Sequence, residues 1–174
     1  FMRINTGLNY GARGTAVDAW SDVAGAGAMM DSVGVPMSDN KYYLMNPFTT
    51  TSLASAQNGL NASDGLVRTA WEKAQISSNF GGMRALTSNA LSSYTSGSTT
   101  DRLGTLNGAP DATYVTAKDT MQQTLAIDAL GTGTIVAGDQ VQIAGVNRLN
   151  IATRQVMLDA AGAAVPWTGT VLST

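Results

Sequence analysis

The chain has 174 residues, of which 44% are hydrophobic and 13% are charged, and its formal net charge is −2 at pH 7. This length indicates one domain or two small ones, and so apolar a composition excludes a disordered chain or a long solvated helix. General nucleic-acid binding requires a basic excess, which ten basic against twelve acidic residues do not provide. The sequence also lacks an apolar run of the roughly 18–20 residues that cross a bilayer. We therefore expect no specific nucleic-acid partner and no membrane partner.

The sequence contains no cysteine and no histidine. This absence excludes disulfides, thiolate zinc sites, a cysteine nucleophile and a Ser-His-Asp triad. Asp18 and Asp22 are expected on one face of a helix, in the first turns, where the helix dipole favours negative charge. Five other aspartates lie in or beside predicted turns, where aspartate accepts local backbone hydrogen bonds: Asp111, Asp119, Asp128, Asp139 and Asp159. We therefore predict no catalytic, cofactor-binding or metal-binding residues, and an enzyme that uses carboxylates alone stays open as an alternative.

The first predicted element is a helix over Ala16–Val33, with Thr15 as its N-cap and Gly34 as its stop. Apolar and small residues recur at helical spacing on one face: Val17, Trp20, Ala24, Gly27 and Ala28. Gly25 and Gly27 would each destabilise an exposed helix by about 1 kcal/mol relative to alanine. We therefore expect another segment of backbone to pack closely against this helix.

A strand and a second helix are predicted next. The run Lys41–Met45 is aromatic and aliphatic, which indicates a buried strand. Asn46-Pro47 ends this strand, because proline cannot donate a hydrogen bond to a sheet, and proline fits the first turn of a helix. The helix that follows is predicted to run to about Asn61, with an apolar stripe made by Leu53, Ala56 and Leu60.

A third helix and a second extended segment complete the first half of the chain. The helix is predicted over Leu66–Ser78, with one face made by Val67, Ala70, Trp71 and Ala74. Gly81-Gly82 breaks the chain, and Met83–Leu91 is predicted to be extended. The large side chains expected to fill the core are Trp20, Trp71, Trp167, Met29, Met30 and Met83, and anchoring an interface stays open as an alternative for the three tryptophans.

The helical pattern ends at Ser92–Thr100, a segment rich in serine and threonine that has the composition of a flexible connector. After it come short strand-prone runs separated by turn-forming residues: Thr113–Ala117, Thr120–Ile127, Gln140–Ala144, Asn150–Leu158 and Val165–Leu172. Strands at this spacing predict a small barrel or sandwich. We therefore predict an α+β chain with a helix-and-strand part over residues 1–91, a linker over 92–100 and a β-rich part over 101–174.

Two groups of segments resemble known proteins. Ala16–Ala24, Tyr42–Pro47 and Phe80–Met83 follow one another in the order helix, aromatic strand with Asn-Pro, and glycine-bearing return. This order resembles the axial domain of tailed-phage major capsid proteins. Gly138–Val146, with the pattern Gly-Asp-x-Val-x-Ile-x-Gly-Val, is expected to form a hairpin. It resembles part of the β-barrel insertion domain in the coat proteins of short-tailed, Salmonella-type bacteriophages.

The resemblance implies an axial-domain-like part followed by an antiparallel, β-barrel-like insertion domain. It further implies a structural, non-enzymatic subunit of an icosahedral bacteriophage or prophage capsid, which binds no cofactor. Such a subunit assembles with identical subunits around a scaffolding protein in the bacterial cytoplasm and becomes part of the virion. The family places an N-terminal arm, an extended loop and a long spine helix before this region, so we expect an internal portion of a longer coat protein.

The alternative is a β-rich binding module of a phage tail, adhesin or surface protein that recognises carbohydrate or protein. It explains the second half of the sequence and leaves the helices that carry Trp20 and Trp71 unexplained. An exposed aromatic platform near Tyr114 and Trp167 would favour this module. Burial of those two rings, together with apolar patches at the edges of the first part, would favour a capsid subunit.

Overall fold

The computed structural model describes residues 8–11, 14–36, 41–58, 64–91, 94–97, 100–108 and 123–174. Helices and short strands make up the described part of the first half of the chain, and strands with turns make up the described part of the second half. In chain order the elements are α1 (Trp20–Val33), β1 (Tyr42–Met45), α2 (Pro47–Asn58), α3 (Asp64–Lys73), β2 (Asn79–Phe80), β3 (Met83–Thr87), β4 (Thr105–Leu106), β5 (Ile127–Asp128), β6 (Gln140–Asn147) and β7 (Pro166–Thr170).

Among the described residues, the strands form three small sheets, with the orders β1-β3-β2, β4-β5 and β6-β7, and none of these sheets closes on itself. This mixture of helix and strand confirms the predicted α+β class. Strands were correctly predicted at β6 and β7. The predicted strand Asn150–Leu158 is wrong, because most of this segment is turn with single bridges at Leu149–Val156 and Leu158–Ala164. Thr113–Ala117 and the first part of Thr120–Ile127 lie outside the described residues.

The chain divides into two compact units. The helical unit consists of residues 6–93 and 142–169, and the inserted unit consists of residues 1–5, 94–141 and 170–174. Within the inserted unit, β4 and β5 pair antiparallel, with Thr105 opposite Asp128 and Leu106 opposite Ile127. The predicted division into residues 1–91, 92–100 and 101–174 stays a prediction.

Helix α1 begins at Trp20, four residues after the predicted start at Ala16. The Asp22 carboxylate determines this start, because it accepts hydrogen bonds from the backbone N–H of Ala19 at 3.1 Å and of Asp18 at 3.3 Å. These N–H groups precede or open the helix and would otherwise have no acceptor. Asp18 therefore lies before the helix, and the prediction that it shares a helical face with Asp22 is wrong. The predicted stop is confirmed, since Gly34 has a φ of 101°.

The core of the helical unit lies between the helices and one face of the first sheet. Its buried side chains come from α1, β1, α2, β2 and β3: Val23, Met45, Leu53, Phe80 and Met83. Partly buried side chains pack against this cluster, among them Met30 and Tyr43. The predicted core positions of Met30 and Met83 are therefore confirmed. Flexible methionine side chains suit such a core because they fill irregular gaps between helices and a sheet.

Strands β1 and β3 pair in parallel, with Tyr42 opposite Arg84 and Leu44 opposite Leu86. The chain crosses between them through two helices, as a parallel pair requires. Successive side chains of a strand point to opposite faces, so Tyr43 and Met45 face the core while Tyr42 and Leu44 face away from it. The predicted buried strand is therefore buried on one face only.

Helix α2 begins as predicted, with Pro47 at its first position and the Asn46 side-chain oxygen accepting the N–H of Thr49 at 2.7 Å. The predicted end near Asn61 lies outside the described residues. Helix α3 ends at Lys73 rather than Ser78, and Ala74 follows it with a φ of 48°. The predicted face of α3 is correct at the buried Ala70 and wrong at Trp71, whose side chain is 77% exposed.

A loop that follows β6 holds the C-terminus of α1 within the helical unit. The Asn150 side-chain amide donates to the carbonyl oxygen of Ser32 at 2.7 Å, and the Ile151 N–H donates to that of Val33 at 2.9 Å. The Asn150 side-chain oxygen accepts the N–H groups of Ala152 and Thr153, which fixes the loop conformation. Because the last carbonyl oxygens of a helix have no N–H donor within it, these bonds cap α1 from another part of the chain.

Gly81 and Gly82 form the two-residue turn between β2 and β3, with φ values of 59° and 78°. Positive φ at both positions is typical of hairpin turns and costs glycine little. A Cβ on Gly81 would lie 3.0 Å from the backbone nitrogen of Ala24, and a Cβ on Gly27 would lie 3.5 Å from the Gly81 carbonyl oxygen. The prediction that another segment of backbone packs closely against α1 at Gly27 is therefore confirmed.

The two turn glycines separate conformational strain from close packing. We expect Gly82→Ala to lower the free energy of unfolding by about 1–2 kcal/mol, because its Cβ meets nothing within 4 Å and only the positive φ is penalised. Gly81→Ala should lower the free energy of unfolding by about 1–3 kcal/mol more than Gly82→Ala does, because its Cβ would also contact the backbone of α1 too closely. Urea unfolding of both variants measures the difference. Equal losses would contradict the tight contact between the turn and α1.

Candidate functional site

The described residues include few features that a catalytic centre would need. Among them, no group of three or more His, Cys, Asp or Glu side chains could hold a metal ion. Within the same ranges, no helix combines the length and apolar character that crossing a membrane requires. An open depression of about 510 Å³ is lined by Asp18, Thr51, Ser52, Ser55 and Ala56. Its lining supplies one carboxylate, whereas acid–base hydrolysis of the glycosidase type requires two.

The side of the first sheet that faces away from the core carries three apolar side chains. Tyr42 is 53% exposed, Leu44 is 46% exposed and Leu86 is 49% exposed. Leu44 and Leu86 are opposite each other in the register of two neighbouring strands, which lie about 4.8 Å apart. We call Tyr42, Leu44 and Leu86 the apolar sheet face. Single exposed apolar residues are ordinary, but adjacent ones on a flat sheet are typical of a surface that another element covers.

Large aromatic side chains of the helices also lie at the surface. Trp20 is 51% exposed, Trp71 is 77% exposed and Phe48, in the first turn of α2, is 85% exposed. The predicted burial of Trp20 and Trp71 is therefore wrong, because the core beneath their helices is filled by smaller side chains. Trp167 is half-buried, and its ring lies over Gly169, where an added Cβ would meet it. Tyr114 lies outside the described residues.

The most elaborate polar arrangement surrounds Asp139, whose side chain has no exposed surface. Its Oδ1 accepts the Tyr94 hydroxyl at 2.5 Å. Its Oδ2 accepts the backbone N–H of Val136 at 2.9 Å and that of Gly97 at 3.2 Å, and it lies 2.8 Å from Nη2 of Arg102. We call these five residues the Asp139 cluster, and all of them belong to the inserted unit.

The cluster keeps the buried carboxylate ionised. Burial alone would raise the pKa of Asp139, because it penalises the charged form. Hydrogen bonds from Tyr94, Val136 and Gly97 and the positive charge of Arg102 outweigh burial and lower the pKa to about 2. Asp139 is thus negatively charged at all pH values above 4. Its hydrogen-bond and ion-pair partners keep their own chain segments close to this carboxylate.

Sequence patterns reveal only the local part of this cluster. Asp139 was predicted to accept backbone hydrogen bonds beside a turn, and the bond from Val136, three residues away, confirms this. Tyr94, Gly97 and Arg102 are 37 to 45 residues away in sequence, and no spacing rule connects them with Asp139. The predicted hairpin over Gly138–Val146 is wrong, because the segment is a turn and a single strand whose partner is β7.

Comparisons with known proteins identify the chain's relatives. The sequence model of a phage coat protein family, "P22 coat protein - gene protein 5", matches residues 5–171. The major capsid protein of Acyrthosiphon pisum secondary endosymbiont phage 1 is 41% identical over 175 residues, which include 99% of this chain. The chain spans 41% of that relative's length. The chain belongs to the P22 coat protein family, and the resemblance inferred from its sequence is confirmed.

The pKa of Asp139 makes acid stability a test of the cluster. Because its folded pKa of about 2 lies below the ordinary value of 3.8, its contribution is complete above pH 4 and is lost as the pH falls towards 2. The shift corresponds to about 2–3 kcal/mol. We expect Asp139→Asn to lower the free energy of unfolding by about this amount at pH 7. Between pH 4 and pH 2, its free energy of unfolding should then fall less than that of the wild type.

Asp128→Asn is the matched control, because it removes an exposed carboxylate from the same unit. Its free energy of unfolding should change by less than about 0.5 kcal/mol at pH 7. Denaturant unfolding at several pH values between 2 and 7 measures both variants. An Asp139→Asn variant with the stability and acid response of the wild type would contradict the assignment.

Proposed function

We propose that the chain is part of a structural subunit of a bacteriophage or prophage capsid and has no enzymatic activity. The family match over residues 5–171 carries this proposal. The relative named above is a major capsid protein, and its similarity extends along almost the whole chain. The exposed apolar sheet face supports the proposal, because shell subunits need surfaces that neighbours cover.

The proposal includes partners and location. Identical subunits would assemble with the help of a scaffolding protein in the bacterial cytoplasm and would end in the virion around packaged DNA. A contact worth about 4 kcal/mol corresponds to millimolar affinity, and several such contacts per subunit raise avidity by about 10²–10⁴. A net charge of −2 supports a shell whose subunits do not bind the packaged DNA specifically.

We further propose that the β-rich second half corresponds to the barrel-like insertion domain that the resemblance implies. The antiparallel pair β4-β5 and the turn at Gly138, which both belong to the inserted unit, supply a strand pair and a turn for such a domain. A carbohydrate- or protein-binding module explains the same strands less well, because half-burial of Trp167 does not favour an aromatic platform.

Co-expression of the complete gene product with its scaffolding gene tests the capsid assignment. Negative-stain electron microscopy should show closed particles of uniform size. A monodisperse soluble protein without shells would contradict the assignment and would direct attention to glycan binding.

The apolar sheet face provides a sharper prediction. We expect Leu86→Asp to prevent shell formation or to raise the required protein concentration at least about 30-fold, because a carboxylate buried at a contact costs about 2 kcal/mol or more. Circular dichroism should show that the variant remains folded, since Leu86 is 49% exposed in the subunit.

Ser21→Asp is the matched control, because it places the same charge at an exposed position in the first turn of α1, where the helix dipole tolerates it. This control should assemble normally. Normal assembly of folded Leu86→Asp would show that the apolar sheet face is not a subunit contact.

A further inference from the structure

The Asp139 cluster lies beside the points where the chain passes between its two units. The chain passes between the units at four points, of which three fall between residues 93 and 94, 141 and 142, and 169 and 170, and the fourth falls between residues 5 and 6. On the side of the inserted unit, the first three of these points lie within two residues of Tyr94, Asp139 and Val171. Tyr94 donates its hydroxyl to the Asp139 side chain, while the Val171 N–H donates to the Asp139 carbonyl oxygen at 2.8 Å. Asp139 therefore links three of the four connections through its side chain and its backbone.

The helical unit contains a segment, residues 142–169, that lies in sequence between two of these connections. Residues 142–169 reach α1 through the Asn150 amide and the Ile151 N–H, which bind the carbonyl oxygens of Ser32 and Val33. About 48 residues, 94 to 141, separate this segment from the rest of the helical unit. The probability that the two ends of a flexible loop of n residues meet falls with about n to the power −3/2. For a loop of this length, this is a factor of roughly 300.

We propose that the Asp139 cluster is a loop-closing lock that stabilises the docking of residues 142–169 onto the end of α1. The cluster brings the two ends of residues 94–141 together through its own contacts. Folding of the inserted unit then already includes the entropic cost of closing this loop. The hydrogen bonds of Asn150 and Ile151 therefore do not have to offset that cost. The coupling acts through chain connectivity, and it does not depend on the proposed function in a capsid.

Hydrogen–deuterium exchange at single amides of the full chain tests this coupling. Opening the lock with Asp139→Asn should speed exchange at the Ile151 N–H by about 10-fold to 300-fold, the upper value being the full closure term. Tyr94→Phe removes one hydrogen bond of the cluster and should speed exchange at the Ile151 N–H by a smaller factor. This variant still tests the proposal if Asp139→Asn does not fold. The control Asp128→Asn should leave this exchange rate within about 2-fold.

The reciprocal experiment excludes a general loss of stability. Asn150→Ala should speed exchange at the Gly97 and Val136 N–H groups, and the double variant with Asp139→Asn should be non-additive, because thermodynamic coupling is mutual. Faster exchange at Gly97 and Val136 with unchanged exchange at Ile151, in both Asp139→Asn and Tyr94→Phe, would overturn the proposal. That result would leave the cluster with a local role and would not affect the capsid assignment.

Discussion

Helices pack on one face of the three-stranded sheet, and this one-sided packing determines which surfaces the helical unit presents. Met45 and Met83 fill the covered face, and strand alternation then places Leu44 and Leu86 on the opposite face. In the described part of this unit, Leu44 and Leu86 remain about half exposed. The exposure of this apolar face is therefore a consequence of the one-sided packing, and the proposed assembly with neighbouring subunits would give it a use.

The core within the described residues is small, so local ties contribute a large share of the stability. Few large side chains are fully buried there, among them Leu53 and Val23. A domain with so little buried apolar area depends on caps, turns and ion pairs worth about 1–3 kcal/mol each. The Asp22 cap on α1, the Asn150 bonds to its other end and the Asp139 cluster are ties of this kind.

Local chemistry made part of the fold predictable from sequence. Asn46-Pro47 and Gly34 act on the residues within one helical turn of them, and the start of α2 and the end of α1 are where the sequence predicted them. The start of α1 was missed because the Asp22 carboxylate caps the helix from inside, so that Thr15 is not needed. The exposure of Trp71 was missed because periodicity indicates that a face exists but not which elements cover it. The predicted lack of catalytic residues stays a prediction.

The Asp139 cluster could not be predicted from the sequence because it joins residues that are far apart along the chain. A buried ion pair is often no more stabilising than an apolar residue of the same volume, so stability alone does not explain a carboxylate here. An apolar side chain, however, would leave the N–H groups of Gly97 and Val136 and the Tyr94 hydroxyl without their acceptor. Only a group with several lone pairs can hold these donors at one point. The carboxylate therefore specifies which segments meet, and the closure of residues 94–141 depends on that specificity.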